Sequence, residues 1–136
     1  MRRQTLALAA LLALAIIRLW LMPLPSSLWT DETGTVCVVR YGASHAETAV
    51  SLYYPLARAA AALGGSSEVV YRLPSVLAMG LALFLIARLA ARLIHPQAAW
   101  FAAFLCLAMH GFNFQAADAR PYGLGTAVMA AGLWFL

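Results

Sequence analysis

The sequence predicts an all-α protein: a polytopic transmembrane bundle of about four membrane helices, with amphipathic juxtamembrane helices in the first outer loop. Three observations predict it. Of 136 residues, 64% are hydrophobic and 10% charged, whereas a soluble domain is roughly half apolar and about a quarter charged. Mean hydropathy is +0.82. The apolar residues also gather into four runs, and a membrane-crossing helix needs about 20 mainly apolar residues, with ~17 as the lower limit. This composition excludes a disordered tail and a simple soluble globule. A nucleic-acid partner is excluded as well: the net charge is +4, but the nine cations, all Arg, are dispersed rather than massed on one stripe.

The first run covers residues 5–24 and is broken only by Arg18. Pro23 and Pro25 end it, because proline cannot continue the hydrogen-bond ladder. A cleaved signal peptide is the rival reading, with Ala13-Leu14-Ala15 as the small-x-small site. The run continues through Ile16, Ile17, Leu19 and Trp20, however, so an uncleaved helix fits better. An outer loop over residues 25–68 follows. In it Trp29 reads as an interfacial anchor and Thr30 as an N-cap, with Asp31 and Glu32 at the positive end of a helix that stops at Gly42. A second loop helix is expected from Ala46 to Leu63, divided or kinked at Pro55 and closed by Gly64-Gly65. Tyr53 and Tyr54 are expected at the interface. Ser66 or Ser67 should cap the second membrane helix, over residues 69–93, with Glu68 in its first turn.

The third run covers residues 98–116. The fourth covers 122–136, opened by Pro121 at its first position. That last run is short for a crossing and has no cap or basic stop, so residues 1–136 are expected to be the N-terminal part of a longer transmembrane domain. Arg2 and Arg3 precede the first helix, and Arg88, Arg92 and His95 sit around the turn between the second and third. The positive-inside rule puts both places in the cytoplasm, and the loop over 25–68 and the turn over 116–121 outside. The expected location is the cell membrane, with multiple passes and the N-terminus inside. Cys37 in the outer loop and Cys106 in an apolar run have no metal or redox spacing, so two free thiols are expected.

The charges outside the membrane are where chemistry would lie. Asp31 and Glu32 serve as helix-capping charges in the plain reading. In the functional reading, a carboxylate at a low-dielectric boundary works as a general base or metal ligand. Adjacent helical residues point about 100° apart, so one of the two should dominate. Asp118, Arg120 and Tyr122 form the second outer turn. They read either as a loop ion pair worth roughly 0–1 kcal/mol or as a phosphate site built on the planar fork of Arg120. Arg72 and Arg58 are further outer cations. His110 and Asn113 make the end of the third run polar, for interhelical hydrogen bonding or for substrate. His45 reads as an exposed loop residue. No Gly-rich phosphate loop, Ser/His/Asp series or zinc spacing competes.

Trp29-Thr30-Asp31-Glu32 after the first helix, Tyr71-Arg72-Leu73-Pro74-Ser75 opening the second and Ala119-Arg120-Pro121-Tyr122-Gly123 opening the fourth together resemble one family. It is the polyprenyl-phosphate-sugar-dependent glycosyltransferases of fold class C, in the branch of dolichyl-phosphate-mannose protein mannosyltransferases and the aminoarabinose transferase of lipid A. The resemblance implies a large helical bundle with its active site on the outer face. It implies a sugar on a polyprenyl monophosphate as donor and an acceptor on a lipid, glycan or protein. It makes Asp31 the catalytic carboxylate with Glu32 as the second acid, and Arg120, Arg72 and Arg58 the donor-phosphate ligands. Asp118, Tyr122, His110 and Asn113 would contact substrate. Family members often carry Glu where Asp118 stands. The resemblance implies no certain cofactor, and Asp31, Glu32 and Asp118 could hold a divalent ion. The alternative is a non-catalytic membrane protein, a transporter segment or assembly subunit, whose mark would be helices broken at mid-depth or an ionisable pair there.

Overall fold

The computed structural model describes residues 2–42 and 51–135, and every regular element among them is helical. Helix α1 (Arg2–Ile16) runs on into a π-helical turn over Ile17–Leu21. Helices α2 (Thr30–Tyr41) and α3 (Tyr53–Gly64) precede the long α4 (Glu68–Leu93). The third apolar run forms α5 (Ala98–Ala108) and α6 (His110–Ala116), and the fourth forms α7 (Tyr122–Trp134).

Among the described residues, two helical stretches are long and apolar enough to cross a membrane, Arg3–Leu21 and Glu68–Leu93. Leu6, Leu11 and Leu14 on the first, and Leu77, Leu81 and Phe84 on the second, stand exposed. A surface that apolar calls for lipid around it. The molecule is a helical membrane bundle with α4 at its centre, in contact with α3, α5, α6 and α7. Ala78 and Ala82 of α4 meet Ala127 and Ala130 of α7, small residues that let two helix backbones approach closely. Where α7 begins the approach is tightest: a Cβ on Gly123 would lie 3.1 Å from Met79 Cγ and 3.3 Å from the Gln115 carbonyl. At the N-terminal end of α4, Val39, Tyr53, Ala57, Tyr71 and Ala119 pack α2 and α3 onto the bundle.

Several expectations change. The third run is two helices rather than one, because Met109 is extended (φ −82°, ψ 118°). Asn113 accounts for the break. Its amide nitrogen donates to the carbonyls of Leu107 (2.6 Å) and Met109 (3.1 Å), and its oxygen accepts from Trp20 Nε1 (2.9 Å), which lies on the π turn. The Leu107 carbonyl, freed by the break, thus finds a partner inside the protein. Pro55 does not divide α3. It sits in the first helical turn, where its missing N–H costs nothing. The expected start at Ala46, with His45 and Glu47, lies outside the described residues. Tyr53 is fully buried rather than interfacial. Trp29, not Thr30, is the N-cap of α2, and Glu32 reaches back to accept from its backbone N–H at 2.9 Å. Ser67 caps α4 by position only, with no side-chain capping bond. Pro121 is the N-cap residue of α7, one place ahead of its expected position. Cys37, on α2, and Cys106 are both free.

Candidate functional site

The first turn of α2 presents its two acids in different directions. Glu32 faces inward on the buried face it shares with Thr35 and Val39, while Asp31 is 68% exposed. Glu32 meets Arg72 of α4, and both side chains are 1% exposed. Arg72 Nε donates to Oε1 at 2.8 Å and Nη2 to Oε2 at 2.6 Å. The remaining donors of Arg72 go to the chain after the first helix: Nη1 to the carbonyls of Leu24 (2.7 Å) and Ser26 (2.8 Å), Nη2 to that of Ser27 (3.2 Å). Glu32 also accepts from the backbone N–H of Ala119 at 2.7 Å. Burial by itself would raise the Glu32 pKa. The Arg72 guanidinium and the N–H groups of Trp29 and Ala119 outweigh it and hold the carboxyl below its ordinary range.

The second-loop turn is fastened to the same face of α2. Thr35 Oγ1 donates to the Ala119 carbonyl at 2.6 Å. Ser75 Oγ lies 3.1 Å from both the Arg120 carbonyl and the Tyr53 hydroxyl, and that hydroxyl donates to the Tyr71 carbonyl at 3.0 Å. From this turn Arg120 extends toward Asp31: Nη1 to Oδ2 is 2.8 Å. Its guanidinium lies 4.6 Å over the Tyr122 ring, and Nη2 donates to the Tyr122 hydroxyl at 2.7 Å. With Asp31 and Arg120 68% and 26% exposed, this pair belongs to the class worth about 0–1 kcal/mol.

Asp118 lies between the two pairs. Its Oδ2 is buried, makes no hydrogen bond, and stands 3.9 Å from Arg120 Nε. Burial first, then the charge of Glu32, push its carboxyl from 3.8 up to about 6, against the pull of Arg120 and Arg72. It lines a cavity of about 330 Å³ together with Trp29, Arg72, His110, Asn113 and Phe114. Asp31 and Arg120 are not in that lining. Trp29 and Asp118, which do line it, stand two positions before them in the chain.

The structure therefore brings Asp31, Arg120, Tyr122 and Asp118 together over the Glu32–Arg72 pair, with His110 and Asn113 on the cavity wall. Two expected phosphate ligands are placed differently. All five N–H donors of Arg72 are committed inside the protein. Arg58 Nη2 points to the Val38 carbonyl at 3.4 Å, seven residues and so about 10 Å along α2 from Asp31. Among the described residues, no group of three or more His, Cys, Asp or Glu is placed to hold a metal ion. The sequence gives Thr35 and Ser75 no site role and Tyr53 only an interfacial one. Thr35 carried a signal, since it lies three residues after Glu32 and so on the same helical face. Ser75 closed a motif but drew no role of its own.

A family model for dolichyl-phosphate-mannose-protein mannosyltransferase matches residues 51–136. The matched stretch includes Arg72, Ser75, Asp118, Arg120 and Tyr122, and starts after Asp31 and Glu32. Comparison with curated proteins and with solved structures gave no match. With more than half of its residues in that match, the chain belongs to the dolichyl-phosphate-mannose-protein mannosyltransferase family, a family of membrane glycosyltransferases.

Proposed function

We propose that the protein takes part in transfer of a glycosyl group from a polyprenyl-phosphate sugar to an acceptor hydroxyl on the outer face of the cell membrane. The observation that carries this reading is the Asp31–Arg120 contact of 2.8 Å, made across 89 residues of chain between two loops at one end of the bundle. It sets a carboxylate and a guanidinium side by side, next to a cavity. Asp31 takes the proton of the acceptor hydroxyl as its oxygen bonds to the anomeric carbon. The bond from that carbon to the phosphate oxygen breaks, and the polyprenyl monophosphate leaves with the electron pair. Arg120 neutralises the charge gathering on it. Tyr122 supports the guanidinium from below.

Arg72 and Glu32 take no part in the transfer in this reading. They hold the two loops that carry the reacting groups. Arg58 stands apart from the pair and is left out of the phosphate site. Asp118, His110 and Asn113 face the space where the sugar or acceptor would lie. Asp31→Asn in the intact protein should lower transfer from polyprenyl-phosphate mannose by about 10²- to 10⁴-fold, the usual share of a general base. The protein should remain in the membrane at its normal level. Wild-type transfer by that variant would refute the role of Asp31.

The helix break at Met109 is the observation that favours a non-catalytic protein instead, since broken helices line transport paths. The Leu107 carbonyl it frees is, however, answered by Asn113 within the protein. An ion path would leave such groups facing the permeant.

A further inference from the structure

The Asp31–Arg120 contact is exposed, and pairs of that kind are too weak to hold a loop in place. Something buried must therefore set where Arg120 stands. Glu32 and Thr35, three residues apart on one face of α2, provide it. Glu32 takes the Ala119 N–H at 2.7 Å and Thr35 donates to the Ala119 carbonyl at 2.6 Å. Both backbone polar groups of a single residue are thus gripped by one helix from more than 80 positions earlier in the chain. Ala119 is fully buried and Thr35 is 3% exposed. No helix holds this turn from within, since α6 ends at Ala116 and α7 begins at Tyr122.

We infer that Thr35 is a positioning residue: with Glu32 it fixes the Ala119 backbone, and so directs Asp118 into the cavity and Arg120 onto Asp31, without itself touching substrate. This rests on the glycosyl-transfer reading of the Asp31–Arg120 site and adds to it a residue from outside the three motifs. Ser75, 3.1 Å from the Arg120 carbonyl, is a second tie on the same turn. Valine at position 35 keeps the shape of threonine but has no donor. The Ala119 carbonyl would then be buried without a partner, and the turn must shift to recover one. A displacement of about 1 Å at a reacting group can cost ~10²-fold in rate.

The test uses the intact protein in lipid nanodiscs, with polyprenyl-phosphate mannose as donor and native membrane extract as acceptor. Three quantities are read: kcat per folded protein, amide exchange at Ala119, and the Arg120 guanidinium resonances, assigned through Arg120→Lys. The wild-type Ala119 amide should exchange at least about tenfold slower than an open loop, as expected of a buried bonded amide. In Thr35→Val the Arg120 resonances should move to where Asp31→Asn puts them, and kcat should fall about 10- to 100-fold. Thr35→Ser, which keeps the hydroxyl, should restore both. A Thr35→Val protein with wild-type Arg120 resonances and kcat overturns the inference, and so does open-loop exchange at the wild-type Ala119 amide. If Thr35→Val does not fold, Thr35→Ser decides, and a change in its kcat or its Arg120 resonances overturns the inference. If the wild type transfers no sugar from the donor, the glycosyl-transfer reading fails, while the exchange and resonance measurements still judge Thr35.

Discussion

Asp31 and Glu32 are neighbours on one helical turn, and each pairs with an arginine from a distant part of the chain. The two pairs are otherwise opposites. Glu32 and Arg72 are sealed in, and their hydrogen bonds join four segments: the chain after the first helix, α2, α4 and the second-loop turn. Asp31 and Arg120 share a single contact, and the carboxylate faces outward. The difference comes from a rotation of about 100° between successive helical residues. One acid is committed to architecture, and its lone pairs are filled. The other keeps lone pairs free for a proton. Adjacent acids in a motif thus need not share a task.

The largest effect that would test this contrast is on stability. Arg72→Met leaves the Glu32 carboxylate buried without its cation, a change that costs about 3–5 kcal/mol. Arg120→Met removes the partner of an exposed carboxylate and should cost under about 1 kcal/mol. Thermal unfolding of the two variants in the same detergent measures both. Equal losses would mean that the two pairs do not differ as their burial indicates.

The sequence showed the helices more clearly than the pairing. Pro23, Gly42, Gly65 and Pro121 are stops and starts with local causes, and the elements end close to them. The break at Met109 was hidden, because its cause is tertiary: Asn113 bonds to Trp20 from 93 residues away. Which acid turns inward was hidden too. It depends on the helical phase of α2, and that phase follows from a cap at Trp29 rather than Thr30. Arg72 looked like a phosphate ligand because an arginine near a membrane surface carries no mark of how many of its donors are already taken. The three motifs meet at one end of the bundle. Which member of each stretch reaches the site and which supports it was decided by packing.

A medium-sized effect should appear with pH, where the acids around the turn pull in opposite directions. Asp118 is raised from 3.8 to about 6, so the folded state binds its proton more readily than the unfolded state does. Its contribution is complete below pH 3.8 and is lost as pH rises through about 6. Glu32 is lowered below its ordinary 4.5, so its contribution is present above that value and is lost as pH falls through the folded pKa. Stability should therefore increase as pH drops from 7 toward 5, by on the order of 1–3 kcal/mol, and then decline in stronger acid. Asp118→Asn should flatten the first limb and leave the second, which belongs to Glu32. Unfolding midpoints read from pH 3 to 8 would show both limbs, and an unchanged first limb in Asp118→Asn would move its cause to another group.

The smallest effect is the most discriminating for the outer pair. A double-mutant cycle on Asp31→Asn and Arg120→Gln should give a coupling of about 0–1 kcal/mol. Because both groups meet solvent, that coupling should shrink as ionic strength rises from about 0.05 to 0.5 M, where the screening length falls to a few ångströms. The same cycle on Glu32→Gln and Arg72→Met should give a larger coupling that salt leaves nearly unchanged, since no counterion reaches a pair 1% exposed on both sides. A salt-insensitive coupling between Asp31 and Arg120 would mean that the outer pair is shielded like the inner one. Asp31 would then be structural, and the base would have to be sought among the other groups facing the cavity, with Asp118 first.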